Sequence, residues 1–206
     1  SADPAQQTAQ EARALGVEAV TIQADVGDPE AVEHLVHEAQ DKVGGVDILV
    51  NNASPFIRAN LQQTSLALWH CVLRVALDGP FMLAQALSPG MIERGAGLIV
   101  NLLDLSAFYP MAGYLAHSVG KTGLLGLTRN LAVALAPAVR VNAIAPGPVL
   151  PPPDYAPVQY TRAAQNTLLG RWGTPDDVVK ALRYLIDADY VTGEVLFVDG
   201  GEVWKR

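Results

Sequence analysis

The chain has 206 residues, half of them apolar and only 17% charged, which suits one domain built around a large buried sheet. A net charge of −7 with no compensating Lys/Arg run excludes a general binder of nucleic-acid backbone, although a basic pocket for one cofactor phosphate still fits. Cys71 is the single cysteine, which excludes an internal disulfide and a cysteine-rich zinc site and points to a reducing, cytoplasmic setting.

In chain order, segments of helical and strand period alternate, the pattern of β–α units around a mostly parallel sheet. Gln6 to Leu15 is rich in Ala and Glu and predicts a helix, with Gly16 as its C-cap. Val17 to Ala24 reads as a strand, closed by Asp25-Val26-Gly27. Asp28 has the side chain of an N-cap and Pro29 the fixed φ of a first helical residue, opening a helix over Glu30 to Val43 that Gly44-Gly45 stops. Val46 to Val50 is short and nearly all apolar, as for a strand buried on both faces. Ser65 to Arg94 carries one long helical pattern, broken at Gly95 and Gly97. Leu98 to Leu103 is another central strand, and Gly113 to Ala136 a second long helix rich in Ala, Leu and Gly. Val139 to Ala145 is a strand ending in Pro146-Gly147-Pro148. The stretch Pro151-Pro152-Pro153 leads to a helical segment around Val158 to Leu169. Thr174-Pro175 introduces a helix over Asp176 to Ile186, and Glu194 to Val198 is the last strand before Gly200-Gly201. Without repeats or charge-block linkers, residues 1–206 read as a single α/β domain. No apolar run reaches the roughly 18–20 residues of a spanning helix, and Ser1 to Gln10 lacks a signal-peptide core, so no membrane partner is expected.

Candidate chemistry gathers at the strand ends, because ligands of an open α/β sheet sit outside its carboxyl edge. Asn51, Asp104 and Pro146 all fall just past predicted strands and should line one crevice. On the helix that follows Asp104, His117 and Lys121 are one turn apart and share a face. Each feature has a plain structural reading too: Asn51-Asn52-Ala53 as a turn, Pro146-Gly147 as a loop breaker, Lys121 as a residue snorkelling to the surface. His34 and His37 lie on a polar, exposed helix face, and His70 and Cys71 point about 100° apart, so no metal site is expected.

In order and spacing these motifs resemble the short-chain dehydrogenase/reductase family. The resemblance rests on Asp25-Val26, Asn51-Asn52-Ala53, the helix carrying Lys121, Pro146-Gly147, and the ending Thr192-Gly193-Glu194 through Val198-Asp199-Gly200-Gly201. It implies a Rossmann-like, doubly wound sheet with helices on both faces, and a nicotinamide cofactor, NADP(H) with NAD(H) not excluded. Asp25 and Val26 would touch the adenine, Asn51, Asn52 and Ala53 would support the cofactor, and Lys121 would hold the nicotinamide ribose beside Pro146 and Gly147. Where the family has its catalytic Tyr and Ser, this chain has His117 and Asp104, and a helix Asn of the family's proton relay falls on Ala76. The Asp and the sequence Asn51-Asn52-Ala53-Ser54-Pro55-Phe56 are similar to the pteridine reductase branch, in which that Phe stacks on the pterin. The similarity assigns Ser54, Phe56, Asp104 and Tyr114 to the substrate, and Asp104, His117 and Lys121 to catalysis, with Asp104 orienting and charging His117 and Tyr114 in reserve as a donor. Tyr155 and Tyr160 fall in the substrate-covering loop, while Arg171 and Trp172 read as structural or interface residues rather than catalytic ones.

The family's opening strand, Gly-rich turn, helix and second strand are missing from the sequence. A segment of roughly 35–45 residues would supply them; without it, Val17 to Ala24 is severed from Val46 to Val50 and two apolar edges are exposed. Three functions stay open: a pterin-like reductase, a short-chain dehydrogenase acting on a carbonyl or alcohol, and a non-catalytic scaffold with a decayed site. The two long helices resemble the family's association surface, and the apolar C-terminal strand would add a further two-fold contact, which together imply a homotetramer.

Overall fold

The computed structural model describes residues 4–151 and 155–205, so Pro152 and Pro153 of the predicted loop lie outside the described residues. Four parallel strands, β1 (Ile48–Asn51), β2 (Gly97–Leu102), β3 (Val139–Pro146) and β4 (Val195–Val198), lie side by side in sequence order. Side chains alternate across a strand, and the alternation sorts the helices into two layers. Ile99 and Val141 point to one face, where they meet Val32 and Val36 of α2 (Pro29–Val43), Leu83, Leu87 and Met91 of α4 (Gly79–Arg94) and Ala132 of α5 (Leu115–Leu135). Leu98, Val100 and Ile144 point to the other and meet Ala181 and Leu185 of α7 (Pro175–Asp187). The sheet is thus doubly wound and Rossmann-like, as expected.

Local chemistry sets the element ends. Asp28 caps α2 by accepting the Glu30 N–H at 3.2 Å, with Pro29 in the first turn. α5 starts at Leu115 rather than Gly113, because Gly113 takes a left-handed φ of +80° and Tyr114 is not helical. α6 (Pro157–Asn166) ends at Thr167, whose extended backbone (φ −85°, ψ 151°) stops the predicted continuation to Leu169.

The long helical pattern from Ser65 resolves into α3 (Leu66–Leu73), a π turn over Arg74–Asp78, and α4 without a break. In the π turn the Gly79 N–H bonds to Arg74 O. This register brings Gly79 against the Asp25–Gly27 turn, so closely that a Cβ there would lie 2.6 Å from the Val26 carbonyl oxygen. Contrary to the sequence expectation, the helix from Leu66 to Arg94 is long and apolar enough to cross a membrane by length and composition. Within it Leu83, Ala84, Leu87 and Met91 pack into the core beside the sheet.

Two expectations fail at the start of the sheet. Val17 to Ala24 follows α1 (Pro4–Ala14) but forms no strand: a strand exists only through hydrogen bonds to a neighbour, and among the described residues no strand pairs with it. Part of its backbone turns to side chains of α1, with Arg13 Nε donating to the Ala19 carbonyl at 2.9 Å. β1 is an edge strand, not a strand buried on both faces; Ile48 and Val50 are 41% and 39% exposed.

Candidate active site

β2 runs out at Leu102, and Asp104 follows as the N-cap of a short 3₁₀ turn over Leu105–Ala107. The turn fixes the carboxylate: Oδ1 accepts the Ser106 N–H at 2.7 Å. Oδ2 lies 2.6 Å from Nε2 of His117, in the first turn of α5. The other ring nitrogen, Nδ1, lies 3.1 Å from the Pro55 carbonyl oxygen. One turn further on, Lys121 is buried and donates from Nζ to the Leu102 carbonyl at 2.6 Å. His117 is 2% exposed, whereas the Asp104 side chain keeps 27% of its surface, so the carboxylate is the accessible member of the pair.

Charge follows from this packing. Burial works to raise the Asp104 pKa, but hydrogen bonds from His117 and Ser106, and the charges of His117 and Lys121, outweigh it and hold the carboxyl below its ordinary 3.8. Burial draws the Lys121 ammonium below 10.5, with the Asp104 charge opposing.

The loop after β1 forms the wall above the pair. Ala59 N–H donates to the Gly113 carbonyl at 2.7 Å, which ties this loop to the lead-in of α5. Phe56 lies flat on Tyr114, with ring centroids 4.3 Å apart and 20° between planes, and presents its edge to His117 at 5.0 Å. It remains 52% exposed. Ser54 Oγ is buried without a hydrogen-bond partner.

Below that loop, the base of the site is held by a buried polar chain. Asn51 Nδ2 donates to Asn101 Oδ1 at 2.8 Å, Asn101 Nδ2 to Thr128 Oγ1 at 2.9 Å, and Thr128 to the Leu124 carbonyl at 2.7 Å. It links the ends of β1 and β2 to α5.

The structure therefore joins Asp104, His117, Lys121, Phe56 and Tyr114 in one cluster. Val26, Asn51, Asn52 and Ala53 line a neighbouring cleft of about 80 Å³ with Val75 and Pro80. Asp25 does not line it; its carboxylate accepts the Gly27 N–H at 2.9 Å and shapes the turn. Pro146 closes β3, and Gly147 follows in such close contact with Asp199 that a Cβ would lie 2.7 Å from the Asp199 Cα. In the region of the covering loop, Tyr160 stacks on Trp172 at 4.8 Å and Tyr155 meets its edge at 6.2 Å, with Trp172 Nε1 donating to the Tyr160 carbonyl. Sequence reasoning missed Pro55, Ser106, Leu102, Asn101 and Thr128. Asn101 carried a signal, being polar within the apolar run Leu98 to Leu103; the carbonyls of Pro55 and Leu102 carried none.

Residues 1–202 match the family model described as Enoyl-(Acyl carrier protein) reductase. The chain is 37% identical to (2S)-[(R)-hydroxy(phenyl)methyl]succinyl-CoA dehydrogenase subunit BbsD of Thauera aromatica, over 97% of this chain and 82% of that protein. Among solved structures it is similar to FolM alternative dihydrofolate reductase 1 of Brucella canis complexed with NADP, at 33% identity and a TM-score of 0.91, covering 99% of this chain and 81% of that one. It is also similar to a gluconate 5-dehydrogenase of Burkholderia cenocepacia in complex with NADP and tartrate, at 31% identity and a TM-score of 0.89, covering 96% of this chain and 80% of that one.

Proposed function

Because the chain belongs to the short-chain dehydrogenase/reductase family, we propose that it is a cytoplasmic, NADP(H)-linked reductase of a flat, pterin-like heterocycle, with Asp104, His117 and Lys121 as its proton relay. The observation that carries this reading is the 2.6 Å contact between Asp104 and His117 beneath the exposed ring of Phe56. A stacking surface and an acid beside it suit a planar ring whose nitrogen must gain a proton. The likeness to an NADP-complexed FolM reductase supports the same substrate class.

The residues present fit a nicotinamide dinucleotide at several points. The buried Lys121 ammonium has three donors and spends one on Leu102, which leaves others for ribose hydroxyls. Val26 and Asn51 to Ala53 form a cleft at the carboxyl edge of the sheet, where such ligands bind. Ser54 Oγ, buried and unpartnered, requires a polar partner beside it. Asp25 shapes the adenine turn, while Pro146 and Gly147 bring backbone to the nicotinamide side. When bound, the reduced cofactor supplies a hydride. The chain's own residues do the rest: Phe56 and Tyr114 orient the ring, Lys121 holds ribose, and the Asp104–His117 pair releases a proton.

The dehydrogenases among the similar proteins support a second reading, in which the substrate is a carbonyl or alcohol and the same pair is its acid and base. Calorimetry with NADPH and NADH, followed by turnover of pterins and of carbonyl compounds, separates the readings. Micromolar binding with turnover of a dihydropterin is expected; turnover of carbonyls alone would replace the first reading by the second, and no nucleotide binding would leave a scaffold. His117→Ala is expected to lower turnover by about a hundredfold, at the lower end of what a general acid contributes.

A further inference from the structure

We infer that Asp104 hands the proton to the substrate, and that His117 stands behind it as a store whose protonation is set by the Pro55 carbonyl. The inference rests on the reductase reading above and assigns the order of transfer within that site.

The argument starts from what each partner can accept. A carbonyl oxygen has no proton to give, so the 3.1 Å contact to Pro55 requires a proton on Nδ1 of His117. A neutral imidazole carries one N–H, which this contact uses. The 2.6 Å contact between Nε2 and Asp104 Oδ2 then needs a second proton, since a bare nitrogen and a bare carboxylate repel. The pair therefore holds one proton more than a neutral histidine beside a carboxylate would. A carboxylate is a weaker base than an imidazole, so that proton rests on Nε2. Asp104 Oδ1 is occupied by the Ser106 N–H, which leaves Oδ2 as the oxygen that receives it.

Geometry then fixes the direction. Nδ1 faces the Pro55 carbonyl, Nε2 faces Asp104, and the Phe56 edge covers the ring, so the buried imidazole presents no free nitrogen to a substrate. Asp104 is the partner with open surface. The Nε2–H bond breaks as Oδ2–H forms. Oδ2–H then breaks as the substrate's N–H or O–H forms, the adjoining carbon taking the hydride and its electron pair that a bound reduced nicotinamide would supply. His117 is left as the neutral Nδ1–H tautomer, Asp104 as a carboxylate, and a solvent proton restores Nε2–H. The charged and titratable groups around His117 are Asp104 from the 3₁₀ turn, Tyr114 just before α5 and Lys121 from α5, with Arg58 of the loop packed on Gly113.

Nitrogen NMR of the ¹⁵N-histidine-labelled protein tests this without cofactor or substrate. His117 is assigned by the signals lost in His117→Gln. Both nitrogens of His117 are expected at doubly protonated shifts at neutral pH in the wild type, and Asp104→Asn should convert the ring to the neutral Nδ1–H tautomer. A wild-type ring that is neutral with its proton on Nε2, or a doubly protonated ring that Asp104→Asn leaves unchanged, would overturn the inference. A kinetic arm separates it from the reductase reading. His117→Gln keeps a donor to Oδ2, so it should retain measurable turnover with the alkaline limb of its pH profile moved to lower pH, while Asp104→Asn should lose roughly a hundredfold or more at every pH. Greater loss in His117→Gln than in Asp104→Asn would make His117 the delivering group. Failure to bind NADPH would remove the reductase reading and leave the NMR result standing.

Discussion

Lys121 sits in the interior with one hydrogen bond to a strand carbonyl and one carboxylate nearby, and its burial has a cost that pH can read. Its folded pKa lies below the unfolded 10.5, so between those two values the unfolded chain binds more protons. Stability from this residue therefore rises with pH through that window, and the cost is carried in full below it. Lys121→Met should raise the melting temperature at neutral pH, with the advantage shrinking as pH approaches 10.5, while NADPH affinity falls. Thermal melts at several pH values with a parallel NADPH titration check both halves; a variant less stable than wild type at neutral pH would mean that the Leu102 bond outweighs desolvation. The same residue shows what was legible at this scale. Its one-turn spacing from His117 was plain in the sequence, because helical period alone puts the two on one face. That Pro55 would clamp His117 was not, because a backbone carbonyl has no residue signature.

Among elements, the π turn at Arg74–Asp78 has a defined mechanical role. It brings Gly79 into contact with the Val26 carbonyl, and so seats the Asp25–Gly27 turn beside the cleft lined by Val26 and Asn51 to Ala53. Gly79 has an ordinary helical φ of −57°, so an added methyl meets only the steric conflict. Gly79→Ala should cost roughly 1–3 kcal/mol as an overpacked site and weaken dinucleotide binding more than it weakens folding. Urea denaturation beside calorimetry measures the two; unchanged stability would show that the turn yields freely. The apolar pattern from Ser65 to Arg94 predicted one helix and could not reveal the inserted residue, since a π turn keeps the same faces nearly in line. The Asp28-Pro29 start was legible to the residue, because capping is decided by neighbours in sequence. The strand expected at Val17 to Ala24 was not, since pairing is decided by a neighbour in space.

For the whole molecule, Phe81 and Ile92 of α4 and Val119 and Val133 of α5 are exposed apolar residues, and we propose the two long helices as the association surface of a homotetramer. Light scattering should give a mass about four times the 21.8 kDa of one chain, and Val133→Glu should lower it; a monomer at micromolar concentration would refute the tetramer. The layered architecture was readable in advance because segments of strand and helical period alternate along the chain. Which strand would stand at the rim was not, since the run Val46 to Val50 is as apolar as its neighbours.

The stack of Phe56 on Tyr114 means that the site already contains an aromatic guest of its own making. An arriving ring competes with Tyr114 for the covered face of Phe56 or takes the open one. Displacing an aromatic partner forfeits about 0.5–1.5 kcal/mol, up to roughly a tenfold loss of affinity. A flat ligand recovers that by restacking, and a flexible aliphatic one does not. On the pterin-like reading proposed above, the tyrosine would be a resident competitor that selects ligands by planarity.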